Sequence, residues 1–198
     1  EDGLTLNITG PASFSVSNIA DGSITLTDVA TVSLTDFKGA VTLAGDVESF
    51  TSNSLVSLSV TAGASIETVD VTGAIDPDAT TAATKLGPAI SLDTLGDLET
   101  VTIAGIASSV NIGSNGNLTT LTISADVAGA ITIDNNTDLE TVTLTGAKAY
   151  SLDVDTNSDL AALTVDLTWR GSGVLTVIDG TLDVTENPSL ESLTVSSD

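Results

Sequence analysis

The sequence predicts an all-β protein, a right-handed parallel β-solenoid (β-helix) with coils of about 20 residues. Three observations lead to this prediction. Short segments alternate apolar residues with Thr, Ser or Asp, and one motif recurs at nearly constant spacing. The 198-residue chain is also 41% hydrophobic with only 3% aromatic residues, which indicates an aliphatic core of ample size. The right hand comes from the general crossover preference of parallel strands.

The repeated motif is seen best in IDNNTDLETVTLTG (133–146). Related segments are IGSNGNLTTLTISA (112–125), VDTNSDLAALTVD (154–166) and VTENPSLESLTVSS (184–197). The equivalent leucines follow one another at nearly equal intervals, except for a longer last one: Leu98, Leu118, Leu139, Leu160 and Leu190. The long last interval predicts an insertion at 167–180, which carries the only Trp and the only Arg.

Each repeat contains two strand patterns, one after the leucine (Val142-Thr143-Leu144) and one before the asparagine (Ile131-Thr132-Ile133). Without hairpin-type turn dipeptides, each strand is expected to pair with its equivalent one coil further on. An antiparallel β-sandwich is the alternative fold. A sandwich, however, gives no reason for an asparagine at a constant offset.

The domain prediction is one solenoid domain over 1–198. Residues 1–73 show the same alternation of apolar residues with Ser and Thr, at looser spacing. Residues 74–89 (AIDPDATTAATKLGPA) are expected to form a longer loop. Regular repeats fill 90–198, interrupted by the insertion.

The asparagine of each motif is expected to stack on its equivalents, because neighbouring coils lie about 4.8 Å apart. An amide side chain both donates and accepts, so a stack can satisfy its own hydrogen bonds. The predicted ladder is Asn115, Asn136, Asn157 and Asn187, with the leucine three residues later filling the corner of the coil.

The Asn-x-x-Leu-x-x-Leu/Val-Thr pattern resembles leucine-rich-repeat-like solenoids, and IDNNTDLETVTL is similar to receptor L-domain repeats. Shorter coils and the absence of cysteine depart from that family. The Thr/Ser-rich, acidic, cysteine-free composition is similar to that of bacterial or archaeal S-layer proteins and adhesins. That resemblance implies an extracellular, cell-surface or secreted location.

Charge and composition exclude several classes of function. Lys+Arg is 4 against Asp+Glu 27, a formal net charge of −23, which repels nucleic acid and anionic lipid. No apolar run is long enough to insert into a membrane. His and Cys are absent, so nucleophilic triads and thiolate chemistry are excluded and no enzyme is expected.

Calcium is the one cofactor that the acidic turns suggest. Asp153, Asp155, Asn157 and Asp159 place oxygen ligands at alternate positions, as in the first half of an EF-hand loop. Ser158 and Thr164 stand where that loop has Gly and Glu. An ordinary repeat turn explains the same residues. The candidate ligands are Asp134, Asp138, Asp153, Asp155, Asn157 and Asp159.

A threonine ladder is expected to point outward from one sheet: Thr102, Thr122, Thr143, Thr164 and Thr194. Such a ladder resembles the surfaces of ice-binding proteins. It also fits the general preference of strands for Thr. An exposed Trp169 or Tyr150 would favour glycan binding instead.

Together these features predict a structural extracellular surface protein, a repeat domain of an S-layer or adhesin that assembles through surface contacts and calcium bridging. Its expected partners are copies of itself, neighbouring domains of a longer surface protein, or cell-surface glycan. The alternative is an ice-binding or glycan-binding β-solenoid module.

Overall fold

The structure, a computed structural model, describes residues 4–10, 12–19, 22–53, 57–60, 64–74, 89–169 and 181–196. These residues form β-strands and turns, with no helix among them. The strands are β1 (Leu4–Thr9), β2 (Ser13–Ile19), β3 (Gly22–Thr27), β4 (Thr31–Phe37), β5 (Ala40–Ala44), β6 (Asp46–Ser52), β7 (Ser57–Val60), β8 (Ser65–Ala74), β9 (Ala89–Asp93), β10 (Thr100–Ala107), β11 (Ser109–Gly113), β12 (Thr120–Val127), β13 (Ala130–Asp134), β14 (Thr141–Ala149), β15 (Ser151–Asp155), β16 (Ala162–Trp169), β17 (Thr181–Thr185) and β18 (Ser192–Ser196).

The strands make two parallel nine-stranded sheets, one of odd-numbered and one of even-numbered strands. Each strand pairs with the strand two further along the chain, so the chain alternates between the sheets as it winds. The predicted parallel β-solenoid is confirmed, and the antiparallel sandwich is wrong. Each coil contributes one strand to each sheet.

The core lies between the two sheets. Alternate residues point inward, and β10 shows the pattern: Val101 and Ile103 are fully buried, whereas Thr100, Thr102 and Ala104 are half-buried. In the repeats the core is aliphatic, whereas the first coils also bury Phe37 and Phe50. Burial falls at β18, where Leu193 and Val195 are each 48% exposed, since a described strand lies on only one side of that strand.

Two segments differ from the expected boundaries. Leu167, Thr168 and Trp169 belong to β16 and pair with Ala147, Lys148 and Ala149 of β14, so the predicted insertion at 167–180 starts too early. The reason is that the neighbouring strand β14 also continues to Ala149 and provides a backbone partner. Residues 170–180 lie outside the described residues.

The loop predicted at 74–89 is also bounded by strands. Ala74 ends β8 and Ala89 begins β9, while residues 75–88 lie outside the described residues. Despite this long interval, β7 pairs with β9 and β8 with β10 in parallel register. Both sheets are therefore continuous past the irregular segment.

Candidate functional surfaces

The four predicted ladder asparagines stack in consecutive coils. The Nδ2 group of each donates to the Oδ1 atom of the next, from Asn115 to Asn136 and from Asn136 to Asn157, both at 3.1 Å, and from Asn157 to Asn187 at 3.3 Å. Each Oδ1 also accepts the backbone N–H of the preceding asparagine, at 3.0 to 3.1 Å. The side chains of Asn115, Asn136 and Asn157 are fully buried, and Asn187 is half-buried.

The ladder also ties the turn to the strand before it. Asn136 Nδ2 donates to the carbonyls of Ile112 and Asp134, at 3.0 and 3.1 Å. The N–H of Leu139 donates to the backbone carbonyl of Asn136 at 3.2 Å. This bond closes a four-residue turn, which explains the constant Asn-x-x-Leu spacing. The leucine then lies fully buried at the corner.

A left-handed residue precedes each ladder asparagine, and sequence reasoning missed it. Ser114, Asn135, Thr156 and Glu186 have φ between 50° and 55°. Such a conformation costs roughly 1–2 kcal/mol for a residue other than glycine. The backbone compensates, since the N–H of Asn135 donates to the carbonyl of Asp155 in the next coil at 3.1 Å. Glycine would have signalled this position, but none of the four is glycine.

The ladder has a defined beginning. Leu95 occupies the asparagine position one coil earlier, is fully buried, and donates its N–H to Asn115 Oδ1 at 2.9 Å. In earlier coils different side chains support the turns. Asn53 Oδ1 accepts the N–H of Asp36 at 2.8 Å, and Asp28 Oδ1 accepts the N–H of Asp46 at 3.2 Å.

An acidic column runs along one end of the odd-numbered strands. Asp134 is in register with Asp155, and Thr185 Oγ1 on the next coil donates to Asp155 Oδ1 at 3.0 Å. Two residues earlier in the strand, Asp153 is in register with Asp183. The stacking of strands therefore places like charges beside one another on this face.

Two effects raise the pKa of Asp153 above its usual value. Although the side chain is exposed, partial desolvation on the sheet surface is the largest cause. The negative charges of Asp183, Asp155 and Asp134 add to it, in that order. The face thus carries electrostatic repulsion that protons or cations would relieve.

The candidate calcium ligands are only partly brought together. Asp134 and Asp155 share the acidic column and Asp153 lies in the neighbouring central column, whereas Asp138 and Asp159 are exposed in the turns beyond them. Asn157 is committed to the ladder, because its Oδ1 already accepts two hydrogen bonds. Within the described ranges, no group of three or more His, Cys, Asp or Glu residues is arranged to hold a metal ion.

The even-numbered sheet presents a hydroxyl face, which we define as two adjacent outward columns that run across all nine strands. The first column is Ser13, Thr31, Ser49, Thr68, Thr100, Thr120, Thr141, Ala162 and Ser192. The second column is Ser15, Ser33, Thr51, Asp70, Thr102, Thr122, Thr143, Thr164 and Thr194. Only Ala162 and Asp70 lack a hydroxyl group.

The predicted threonine ladder is thus the later part of the second column. Sequence reasoning missed Ser13, Ser15, Ser49, Thr51 and Thr68 as members of these columns. The signal was present as alternating Ser and Thr. The unequal coils of β1 to β8 and the long segment after β8 hide the register that aligns them.

The odd-numbered sheet has a different surface. Its central outward column is Asn7, Thr25, Thr42, Ser59, Ser91, Asn111, Thr132, Asp153 and Asp183. The column after it includes Asp93, Asp134 and Asp155. The column before it mixes hydroxyl and small residues and includes Thr5, Ser23, Ala40, Ala89, Ser109, Ala130, Ser151 and Thr181. Hydroxyl groups therefore fill the two columns of the even-numbered sheet almost completely. On the odd-numbered sheet small, amide and acidic residues interrupt them.

Of the residues that would favour glycan binding, Tyr150 is 42% exposed in the turn between β14 and β15. The side chain of Trp169 lies outside the described part of the structure. Over the residues that are described, no helix is long and apolar enough to cross a membrane. A comparison of the chain with protein-family models, curated proteins and solved structures found no match.

Proposed function

We propose that this chain is a structural module of an extracellular surface protein, a repeat domain of the S-layer or adhesin type that acts as a rigid rod and contact surface. The observation that carries the proposal is one core enclosed by two continuous nine-stranded parallel sheets. Nine strands about 4.8 Å apart make a rod about 40 Å long. Apart from the outermost strands, each strand is paired on both sides, which resists bending.

The exterior supports the same role. A net charge of −23 keeps separate rods apart at low ionic strength. Among the described residues no group of three or more carboxylates is arranged to hold a metal ion, so a calcium site needs ligands from two rods. Asp134 and Asp155 would share the ion with carboxylates of a second rod. The partners in this proposal are copies of the chain, or neighbouring domains of a longer surface protein.

Negative-stain electron microscopy of the purified chain tests the proposal, with millimolar calcium and with a chelator. We expect ordered sheets or filaments in calcium that disperse in chelator. The double variant Asp134→Asn/Asp155→Asn should assemble less. Glu140→Gln, which removes an exposed carboxylate away from the acidic column, should assemble like the parent chain. Isolated rods in every condition would refute self-assembly by this chain.

A binding module is the second candidate function, for ice or for glycan. The difference between the two faces favours it, because strand propensity alone should enrich both faces in Thr equally. This function needs only the hydroxyl face, so it can be tested on isolated rods.

A further inference from the structure

We infer that the hydroxyl face binds the surface of an ice crystal. The inference rests on the second candidate function, and it selects ice over glycan. Four features carry it: the regularity of the two columns, the chemistry of their groups, the scarcity of charge within them, and the contrast with the opposite face.

The hydroxyl groups form a regular two-dimensional array. Strands in a sheet are about 4.8 Å apart, and residues two apart along a strand are separated by about 6.6 Å. The register shifts of β10, β12 and β14 all fall after the two columns, at Ile103/Gly105, Ile123/Asp126 and Thr145/Ala147. Within the columns the array continues without interruption, although the length of chain between paired strands differs from coil to coil.

The chemistry of the array suits a lattice of water. Each hydroxyl donates one hydrogen bond and accepts others, as a water oxygen does, and it can rotate to suit its neighbours. Oxygen atoms on faces of hexagonal ice repeat at similar separations in two perpendicular directions. A row such as Thr102, Thr122, Thr143 and Thr164 can therefore take the place of a row of surface water molecules.

Charge is nearly absent from the columns. A carboxylate orients water around itself in a shell that does not continue an ice lattice. Asp70 is the one charged residue in the two columns, and it lies in β8, so the columns of β10 to β18 carry no charge. Exposed carboxylates such as Glu99, Glu140 and Glu191 lie just outside, one residue before the first column.

Glycan is the less suitable ligand for this face. Protein sites for sugars commonly use aromatic rings as stacking platforms, and neither column holds an aromatic residue. Tyr150 lies in a turn rather than on the sheet. The opposite face serves as an internal control, because its central column interrupts hydroxyls with Asn111, Asp153 and Asp183.

The test is partition of the purified full chain into slowly growing ice, with sedimentation on insoluble cellulose and chitin run in parallel. Thr143→Tyr places a bulky side chain between Thr122 and Thr164, and Thr143→Val removes the hydroxyl while keeping the shape. The matched control is Thr132→Tyr, at the equivalent outward position of the opposite face. Circular dichroism establishes that each variant is folded.

We expect the parent chain and Thr132→Tyr to enter the ice, and Thr143→Tyr to lose that ability severalfold, with Thr143→Val between them. Equal partition of Thr143→Tyr and Thr132→Tyr would overturn the assignment to the hydroxyl face. Binding to cellulose or chitin without ice would overturn the inference while sustaining a binding module. Binding to neither ice, cellulose nor chitin would overturn both the ice inference and the binding module. The proposed structural role is tested separately, by electron microscopy.

Discussion

The coils before and after the segment 75–88 build the same architecture with different turn chemistry. In β1–β8 the turns use single side-chain contacts, such as Asn53 to Asp36, and the core includes Phe37 and Phe50. In β9–β18 a continuous ladder of asparagines supports the turns, and the core is aliphatic. Both regions nevertheless continue the same two sheets in parallel register.

This difference distinguishes the features that produce the solenoid fold from the feature that makes its coils regular. Inward apolar residues and strand pairing are common to both regions, so they are sufficient for the fold. The ladder adds a nearly constant coil length between consecutive asparagines or their equivalent, except across the longer interval before Asn187. We therefore interpret the ladder as the element that fixes where the turn lies in each coil.

Breaking the ladder at its middle should have the largest effect. Asn136→Ala leaves the N–H of Asn115 without its acceptor and removes one of the two acceptors of Asn115 Nδ2, the other being the Leu92 carbonyl. Each unsatisfied buried group costs about 1–3 kcal/mol. Including the cavity, we expect the free energy of unfolding to fall by about 3–6 kcal/mol in a denaturant titration.

Asn187→Ala is the matched control for that variant, since it removes the same side chain at a half-buried position. A loss of about 1 kcal/mol is expected there, because water can replace the missing bonds. If both variants lost the same amount, the proposed role of ladder burial would be wrong.

The first region is tested through its aromatic core. Phe50 and Phe14 lie in the same inward column, on either side of Val32, but Phe50 is fully buried and Phe14 only partly. Phe50→Ala should lower the free energy of unfolding by about 3–5 kcal/mol. Phe14→Ala should cost clearly less, and thermal unfolding of both variants would show the ranking. A larger loss for Phe14→Ala would contradict the burial that defines this core.

The smallest effect concerns the acidic face of the second region. The pKa of Asp153 is raised, so the folded state binds its proton more tightly than the unfolded state. The resulting stability is complete below the unfolded pKa and is lost as pH rises through the folded pKa. Asp153→Asn removes the charge, and we expect a small increase in melting temperature at neutral pH and low salt.

That increase should shrink at high salt and disappear at acid pH. Asp138→Asn, in an exposed turn outside the column, serves as the control. A lower melting temperature for Asp153→Asn at neutral pH would contradict the inference that the ionised carboxylate at this position destabilises the folded state.

Much of the second region could be predicted because its signals are local. The Asn-x-x-Leu spacing reports one turn, closed by the bond from Leu139 N–H to the Asn136 carbonyl, and repetition of that turn sets the coil. The alternation of Val101, Thr102 and Ile103 likewise assigns each side chain to a face. The asparagine ladder follows from these two facts and the donor and acceptor chemistry of one amide.

The remaining features depend on contacts between distant residues. The pairing of Thr68 with Thr100 joins positions on either side of the long irregular segment, so only the folded sheet reveals one hydroxyl face. The left-handed conformation of Thr156 could not be predicted, because the residue is not glycine. The neighbouring coil stabilises this conformation, since the N–H of Thr156 donates to the Thr185 carbonyl. The residues of the apparent calcium motif at 153–159 lie in three separate places. Asp153 and Asp155 are on the sheet surface, Asn157 is in the buried ladder, and Asp159 is in an exposed turn.

The sequence by itself determined the strand periodicity and the turn that ends each coil, since each is a property of residues close together in the chain. The recurrence of asparagine at one position of that turn predicted the stack. Only the tertiary structure showed that each coil contributes one strand to each of two sheets. It also showed which outward residues share a face and where carboxylates lie close together. The physical reason is that parallel pairing joins residues a full coil apart. Register between coils, and with it the character of each surface, arises only when the coils stack.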